Sequence, residues 1–191
     1  MTSNGSRVRL ADLQIGDEVL AVNGQGDLEF SPVMLFLDRD PNESRQFFVL
    51  KTEAGHALTL TPSHLIYAKT EAAEAAEADF EAVYAKDVRE GDFVLVQSSR
   101  GDLVPSRVSA VEMRALTGVF APLTSAGNVV VDNVVASCYA VVDSHSVAHA
   151  AFGPLRLLTR LWPQRESHGV HWYANALYSL AEVVMPTHLV P

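Results

Sequence analysis

With Cys138 as its one cysteine, the chain can close no intrachain disulfide and build no thiolate metal cluster. It is also short of cations: 14 Lys and Arg stand against 23 Asp and Glu, a net charge of −9. That balance argues against a nucleic-acid surface, which needs clustered basic side chains to neutralise phosphates, and fits a soluble acidic exterior. No apolar run approaches the length of a membrane span. The polar start, Met1 to Ser6, leads straight into Arg7 and Arg9 without the apolar core of a signal peptide. Read on that ground alone, the polypeptide is expected in the cytosol. What is present is a globular composition, 48% apolar with 19% charged, in 191 residues. Such a length suits one large domain, or a compact domain with an appended module.

The strongest internal signal is a duplication. Asp12-Leu-Gln-Ile-Gly16-Asp17-Glu-Val-Leu20 recurs as Asp87-Val-Arg-Glu-Gly91-Asp92-Phe-Val-Leu95, and residues 12–33 match 87–108 at ten of 22 positions without a gap. At a slightly smaller offset, Thr52-Glu-Ala54-Gly55 falls on Thr124-Ser-Ala126-Gly127, each leading into an apolar run. Two copies of one β-rich unit, and hence a pseudo-twofold architecture, are expected.

Within each copy the runs are short, apolar or β-branched, and bounded by turn residues. Val19–Val22, Phe47–Leu50, Ala57–Leu60, Phe93–Val96, Arg107–Val111 and Val129–Val135 read as strands of an all-β fold. Asn23-Gly24 and Arg100-Gly101-Asp102 supply turns tolerant of positive φ. Two segments depart from this pattern. Glu71 to Ala78 is rich in helix formers but has no apolar face, so it reads as an exposed insertion. Beyond Asp143 the period becomes helical: Leu155, Leu158 and Leu161, then Trp172, Leu177, Leu180 and Val184. A core domain over 1–143 and a helical extension over 144–191 are predicted.

Few residues invite chemistry. Thr61-Pro62-Ser63-His64 closes the strand Ala57–Leu60, where a rigid scaffold can aim a side chain and proline restricts the backbone. By itself the pattern equally describes a Thr-capped turn with a partly buried histidine. The second copy has Asn133 and Ala136 at the matching positions, so only one copy carries a titratable pair. Asp38, after the apolar Val33–Leu35, reads as a carboxylate at a strand exit, or as a solvated Asp–Arg pair with Arg39. Cys138 lies in an apolar run and reads as a buried thiol. His145 and His149 have metal-like spacing but lack the glutamate of a zinc-protease helix, and read as a helix-surface pair. Neither a metal nor a cofactor is expected.

Six stretches in order carry a family likeness: Leu13-x-x-Gly16-Asp17-x-Val19-Leu20, Phe36-Leu37-Asp38-Arg39, Leu60-Thr61-Pro62-Ser63-His64-Leu65, Ala121-Pro122-Leu123-Thr124, Val135-Ala136-Ser137-Cys138-Tyr139-Ala140 and Val170-His171-Trp172-Tyr173. Together they resemble the autoprocessing domain of Hedgehog proteins, a hedgehog–intein (Hint) fold. The resemblance implies a pseudo-twofold β disc and a two-step reaction. A cysteine at the start of the domain converts the preceding peptide bond to a thioester. Cholesterol then attacks through its 3β-hydroxyl and leaves as an ester on the released signalling fragment. By motif, His64 corresponds to the proton donor of the first step and Thr61 to the group holding the strained peptide. Asp38 corresponds to the base for the sterol hydroxyl, and Cys138 to an interior cysteine without an essential role.

The family's Cys-Phe pair falls about eight residues before the position matched by Met1, so the chain as written is expected not to process itself. The extension, with Trp162, Trp172 and Tyr173, matches the family's sterol-recognition region and suits a membrane interface, or else packs back on the disc. A monomer with cholesterol as co-substrate is expected, and the secretory pathway or extracellular space is the location the resemblance implies. The other readings are a non-catalytic remnant that binds sterol or a membrane surface, and an intein. The last is disfavoured because no His-Asn pair closes the second repeat.

Overall fold

The computed structural model describes residues 1–70 and 80–140. The expected helical extension, the Glu71–Ala78 insertion and the His145/His149 pair therefore lie outside the described residues.

Nine strands form within them: β1 Glu18–Val22, β2 Leu28–Thr52, β3 Ala57–Leu60, β4 His64–Lys69, β5 Glu81–Tyr84, β6 Phe93–Gln97, β7 Leu103–Thr124, β8 Asn128–Val131 and β9 Val134–Ala140. Every pairing is antiparallel. The sheet runs β1-β2-β7-β6-β4-β9-β8, with β3 beside β2 and β5 beside β4. The all-β expectation holds, and β4 and β5 add strands that the sequence pattern did not announce.

The duplication is visible hydrogen bond by hydrogen bond. Single 3₁₀ turns at Leu10–Asp12 and Ala85–Asp87 precede the two Gly-Asp corners. Gly16 N–H donates to Val33 O at 2.8 Å and Gly91 N–H to Val108 O at 2.9 Å. Both glycines take φ near +97°, at +96° and +98°, a region closed to most side chains. Asp17 accepts from Gln14 N–H at 2.9 Å, and Asp92 from Arg89 N–H at 2.8 Å. At the next turns Asn23 and Ser98 each accept two backbone N–H groups. There the positive φ belongs to Gly26 and Gly101 rather than to Asn23 and Gly24.

The copies also clasp each other. Ser31 Oγ accepts from Ala126 N–H at 3.1 Å, and Ser106 Oγ accepts from Ala54 N–H at 3.2 Å. Each half thus accepts the same bond from the other, which ties two units into one fold. Long β2 and β7 pair from Val33/Thr124 to Thr52/Val108 and form its spine. Two main apolar clusters flank it. One contains Leu13, Val33, Leu35, Leu37, Leu65, Leu123 and Tyr139; the other holds Leu50, Leu58, Ile66, Val94, Val96 and Val108. Each fully buried Val or Leu contributes roughly 1.5–3 kcal/mol by leaving water.

Two expectations need correction. Val129–Val135, read as one run, is two strands with Asp132 and Asn133 turned between them at φ 48° and 65°. Residues with this backbone make the tight two-residue hairpin that matches strand twist. Asp38, read as sitting at a strand exit, lies inside β2 and is only 8% exposed.

Candidate functional site

Asp38 reaches its position through irregular pairing. Phe36 faces Pro122 while Asp38 faces Ala121, so β2 holds one extra residue, Leu37, between these pairs. Such a bulge breaks the alternation of faces and re-aims the next side chain. The six residues Val33 to Asp38 are consequently all buried, where a regular strand with one wet face would alternate. Two residues later, Asp40 faces Val119 and Ser44 faces Thr117, four steps against two. The excess is accommodated opposite Gly118 (φ +102°), where a Cβ would stand 2.9 Å from the Phe120 ring.

That second irregularity turns Arg45 back onto Asp38. The Arg45 guanidinium lies 2.9 Å from Asp38 Oδ2. Asp38 Oδ1 is buried and has no hydrogen-bond partner. An unpaired buried carboxylate oxygen is costly, and active sites are where such costs are retained. Burial pushes the Asp38 carboxyl above its ordinary range, and the Arg45 charge opposes that rise. Arg39, the partner the sequence suggested, turns elsewhere. It lies over the Phe36 ring at 4.3 Å and donates to Ala11 O at 3.0 Å.

His64 starts β4, directly after the turn that Thr61 opens. His64 N–H donates to Thr61 O at 3.0 Å, and Pro62 O accepts from Lys86 N–H at 3.0 Å. The turn is thus pinned from two sides. The imidazole Nε2 lies 2.8 Å from Ser137 O. A carbonyl only accepts, so Nε2 carries the proton and Nδ1 presents its lone pair. Burial lowers the His64 pKa, partly offset by the Ser137 bond, so the ring is neutral at neutral pH. Ser137 is itself fixed, its Oγ accepting from Tyr139 N–H at 3.0 Å.

Leu37 and Leu65, the respective chain neighbours of Asp38 and His64, pack in the first apolar cluster. No hydrogen bond links Asp38 to His64; each is held by its own partner. Cys138 is 3% exposed in the same cluster, with Sγ 3.7 Å from Thr124 Oγ1, as expected of a buried thiol. The site residue missed by the sequence reading is Arg45. Nothing in the linear pattern marks it, because its approach to Asp38 depends on the irregular pairing opposite Gly118.

With this geometry in view, comparisons with known proteins converge. The model of the Hint module family matches residues 1–186. Protein hedgehog of Drosophila virilis is 40% identical, over 97% of this chain and 42% of that protein. Indian hedgehog protein of Gallus gallus is 41% identical, over 96% of this chain and 45% of that protein. The chain thus spans less than half the length of these relatives. Among solved structures, a DnaB intein from Synechocystis sp. PCC 6803 has a TM-score of 0.57 at 17% identity, covering 71% of this chain and 89% of that one. The PabCDC21-1 intein has a TM-score of 0.56 at 12% identity, covering 72% and 92%. At such identities the intein likeness shows a shared fold and nothing more.

Proposed function

The chain belongs to the Hint family as a hedgehog-type autoprocessing domain, and from that premise we propose that it supports self-cleavage followed by transfer of an acyl group to a sterol hydroxyl. In the first step a thiol at the junction attacks the preceding carbonyl, and the amide nitrogen departs as an amine. His64 Nδ1 accepts the thiol proton and passes it to that nitrogen. A neutral imidazole is free to take the proton, and a lowered pKa makes it give that proton up readily to the departing nitrogen. Thr61, one turn before it, holds the strained peptide. In the second step the 3β-hydroxyl of cholesterol attacks the thioester carbon and the sulfur leaves as a thiolate. Asp38 Oδ1 takes the hydroxyl proton.

The observation that carries this reading is the unpartnered, buried Oδ1 of Asp38. Cys138 is no candidate nucleophile, being buried in the apolar core. The family's nucleophile is a cysteine at the start of the domain, and the secretory pathway is the compartment in which the reaction would run.

The test is a fusion that places a reporter domain and a Cys-Phe leader before this chain. Cleavage under dithiothreitol and under cholesterol is expected. Asp38→Ala should abolish the cholesterol reaction and spare most dithiothreitol cleavage, because a small thiolate needs no base. His64→Ala should suppress both by about 10²–10⁴-fold. Equal loss of both reactions in Asp38→Ala would make Asp38 a structural residue and sink the assignment of its role.

A further inference from the structure

Asp38 is held by one oxygen only. Its Oδ2 meets the Arg45 guanidinium at 2.9 Å, while Oδ1 is buried without a partner. Arg45 is in turn clamped. Its Nε donates to Glu43 Oε1 at 2.9 Å and its NH2 nitrogen to Glu43 Oε2 at 2.7 Å, a two-pronged grip that leaves the remaining nitrogen for Asp38. The irregular stretch of β2 carrying Glu43 is held in turn: Asp40 Oδ1 accepts from Asn42 N–H at 2.8 Å and from Glu43 N–H at 3.2 Å. Its form depends on the extra residues of β2 opposite Gly118.

We propose that Arg45 is the positioning residue of the hydroxyl-transfer step: it ties down one oxygen of Asp38 so that Oδ1 alone faces the acceptor hydroxyl. The inference rests on the proposed role of Asp38 as base. A pair serving stability alone would be expected to satisfy both carboxylate oxygens, and this one leaves the inner oxygen bare. The charge matters as well as the aim. Among the described residues, the charged groups that act on Asp38 are Arg45, Glu43 and Asp40. Arg45 favours the carboxylate; Glu43 and Asp40 oppose it, as does burial. Ala121, opposite Asp38 on β7, brings no charge. Removing the guanidinium would therefore leave burial and two anions to drive Asp38 towards its protonated, inert form.

The experiment has two arms, on Arg45→Gln and on Arg45→Lys. In the 191-residue chain, the ¹³C-carboxyl signal of Asp38, assigned by its loss in Asp38→Asn, is titrated by NMR. Arg45→Gln should raise its midpoint by about one pH unit or more, and Arg45→Lys, which keeps the charge, should recover most of the difference. In the Cys-Phe fusion, the acid limb of the cholesterol reaction should move up by the same interval, while the limb for dithiothreitol stays in place. On that acid limb, below both midpoints, this appears as a loss of about tenfold that raising the pH reverses. An unmoved midpoint, or a loss of sterol transfer that no pH restores, would overturn the role given to Arg45. Should the unaltered fusion react with neither nucleophile, the proposed function fails, and the carboxyl titration still decides whether Arg45 governs Asp38.

Discussion

At Gly16-Asp17 and Gly91-Asp92 the two halves make the same corner with the same bonds, yet at the ends of β3 and β8 they part company. The second half closes with a two-residue turn, and Val131 pairs directly with Val134 across it. Its Asn133 is a turn residue: the backbone O accepts from Gln97 N–H at 2.7 Å. The first half inserts Thr61-Pro62-Ser63, and His64 leaves that turn to pair with Ala140 of β9. At the position matching His64, the second half has Ala136, 2% exposed and packed in the core. Thus the frame is common property, and the residues proposed for chemistry belong to one copy. A duplicated scaffold supplies rigidity twice, and a site needs it once.

The sharpest way to break that comparison is to alter matched positions and measure cleavage in the Cys-Phe fusion. Thr61→Ala is expected to slow the dithiothreitol reaction by at least about tenfold, on the scale of a lost positioning contact. Asn133→Gly, which keeps a residue suited to positive φ, should leave the rate within about twofold while the fold is retained. Comparable losses at both positions would mean that the two turns serve the structure alike, and that the asymmetry is one of residue type without consequence.

The frame should answer in the opposite manner. Val33 and Val108 occupy matched places and are each 1% exposed. Val33→Ala and Val108→Ala are expected to lower the unfolding free energy by about 2 kcal/mol each, from lost burial plus the residual cavity. Chemical denaturation measures both. A difference beyond about 1 kcal/mol would show that the halves do not share the load as their bonding pattern implies.

The common frame was legible because it rests on residues with few substitutes. A corner at φ near +97° calls for glycine, and the aspartate that follows accepts a defined backbone N–H, so both survive as repeated Gly-Asp pairs. The length of β2 was not legible. Its alternation lapses through Val33–Asp38 and again at Asp40–Ser44, because extra residues shift the register where a regular strand would keep period two. The same irregularity concealed Arg45 and made Asp38 look like a strand exit. Val129–Val135 misled for a related reason: Asp132 and Asn133 form a turn so short that apolar residues run up to it on both sides. As for the candidate site, spacing alone left Asp38, Thr61 and His64 open to bland readings, and it was the family likeness that assigned them roles.

The smallest expected effect separates the halves by pH. His64 has its pKa lowered by burial, whereas its counterpart Ala136 has nothing to titrate. Below the ordinary imidazole value of 6.5 the unfolded chain binds a proton that the folded chain resists. The stability contributed by a neutral His64 is therefore complete above that pH and is lost as pH falls through it. Asp38 has the opposite sign. Its raised pKa favours the folded state below the ordinary carboxylate value of 3.8, and that contribution fades as pH rises above it. The descent from pH 7.5 to 5.5 is thus the window in which His64 speaks most clearly. Melting temperatures measured across it should fall in the native chain and fall less in His64→Gln, whose carboxamide can still donate to Ser137 O but cannot charge. Parallel curves for the two proteins would show that the imidazole accepts its proton without strain in the folded state, and the shuttle proposed for it would lose its electrostatic basis.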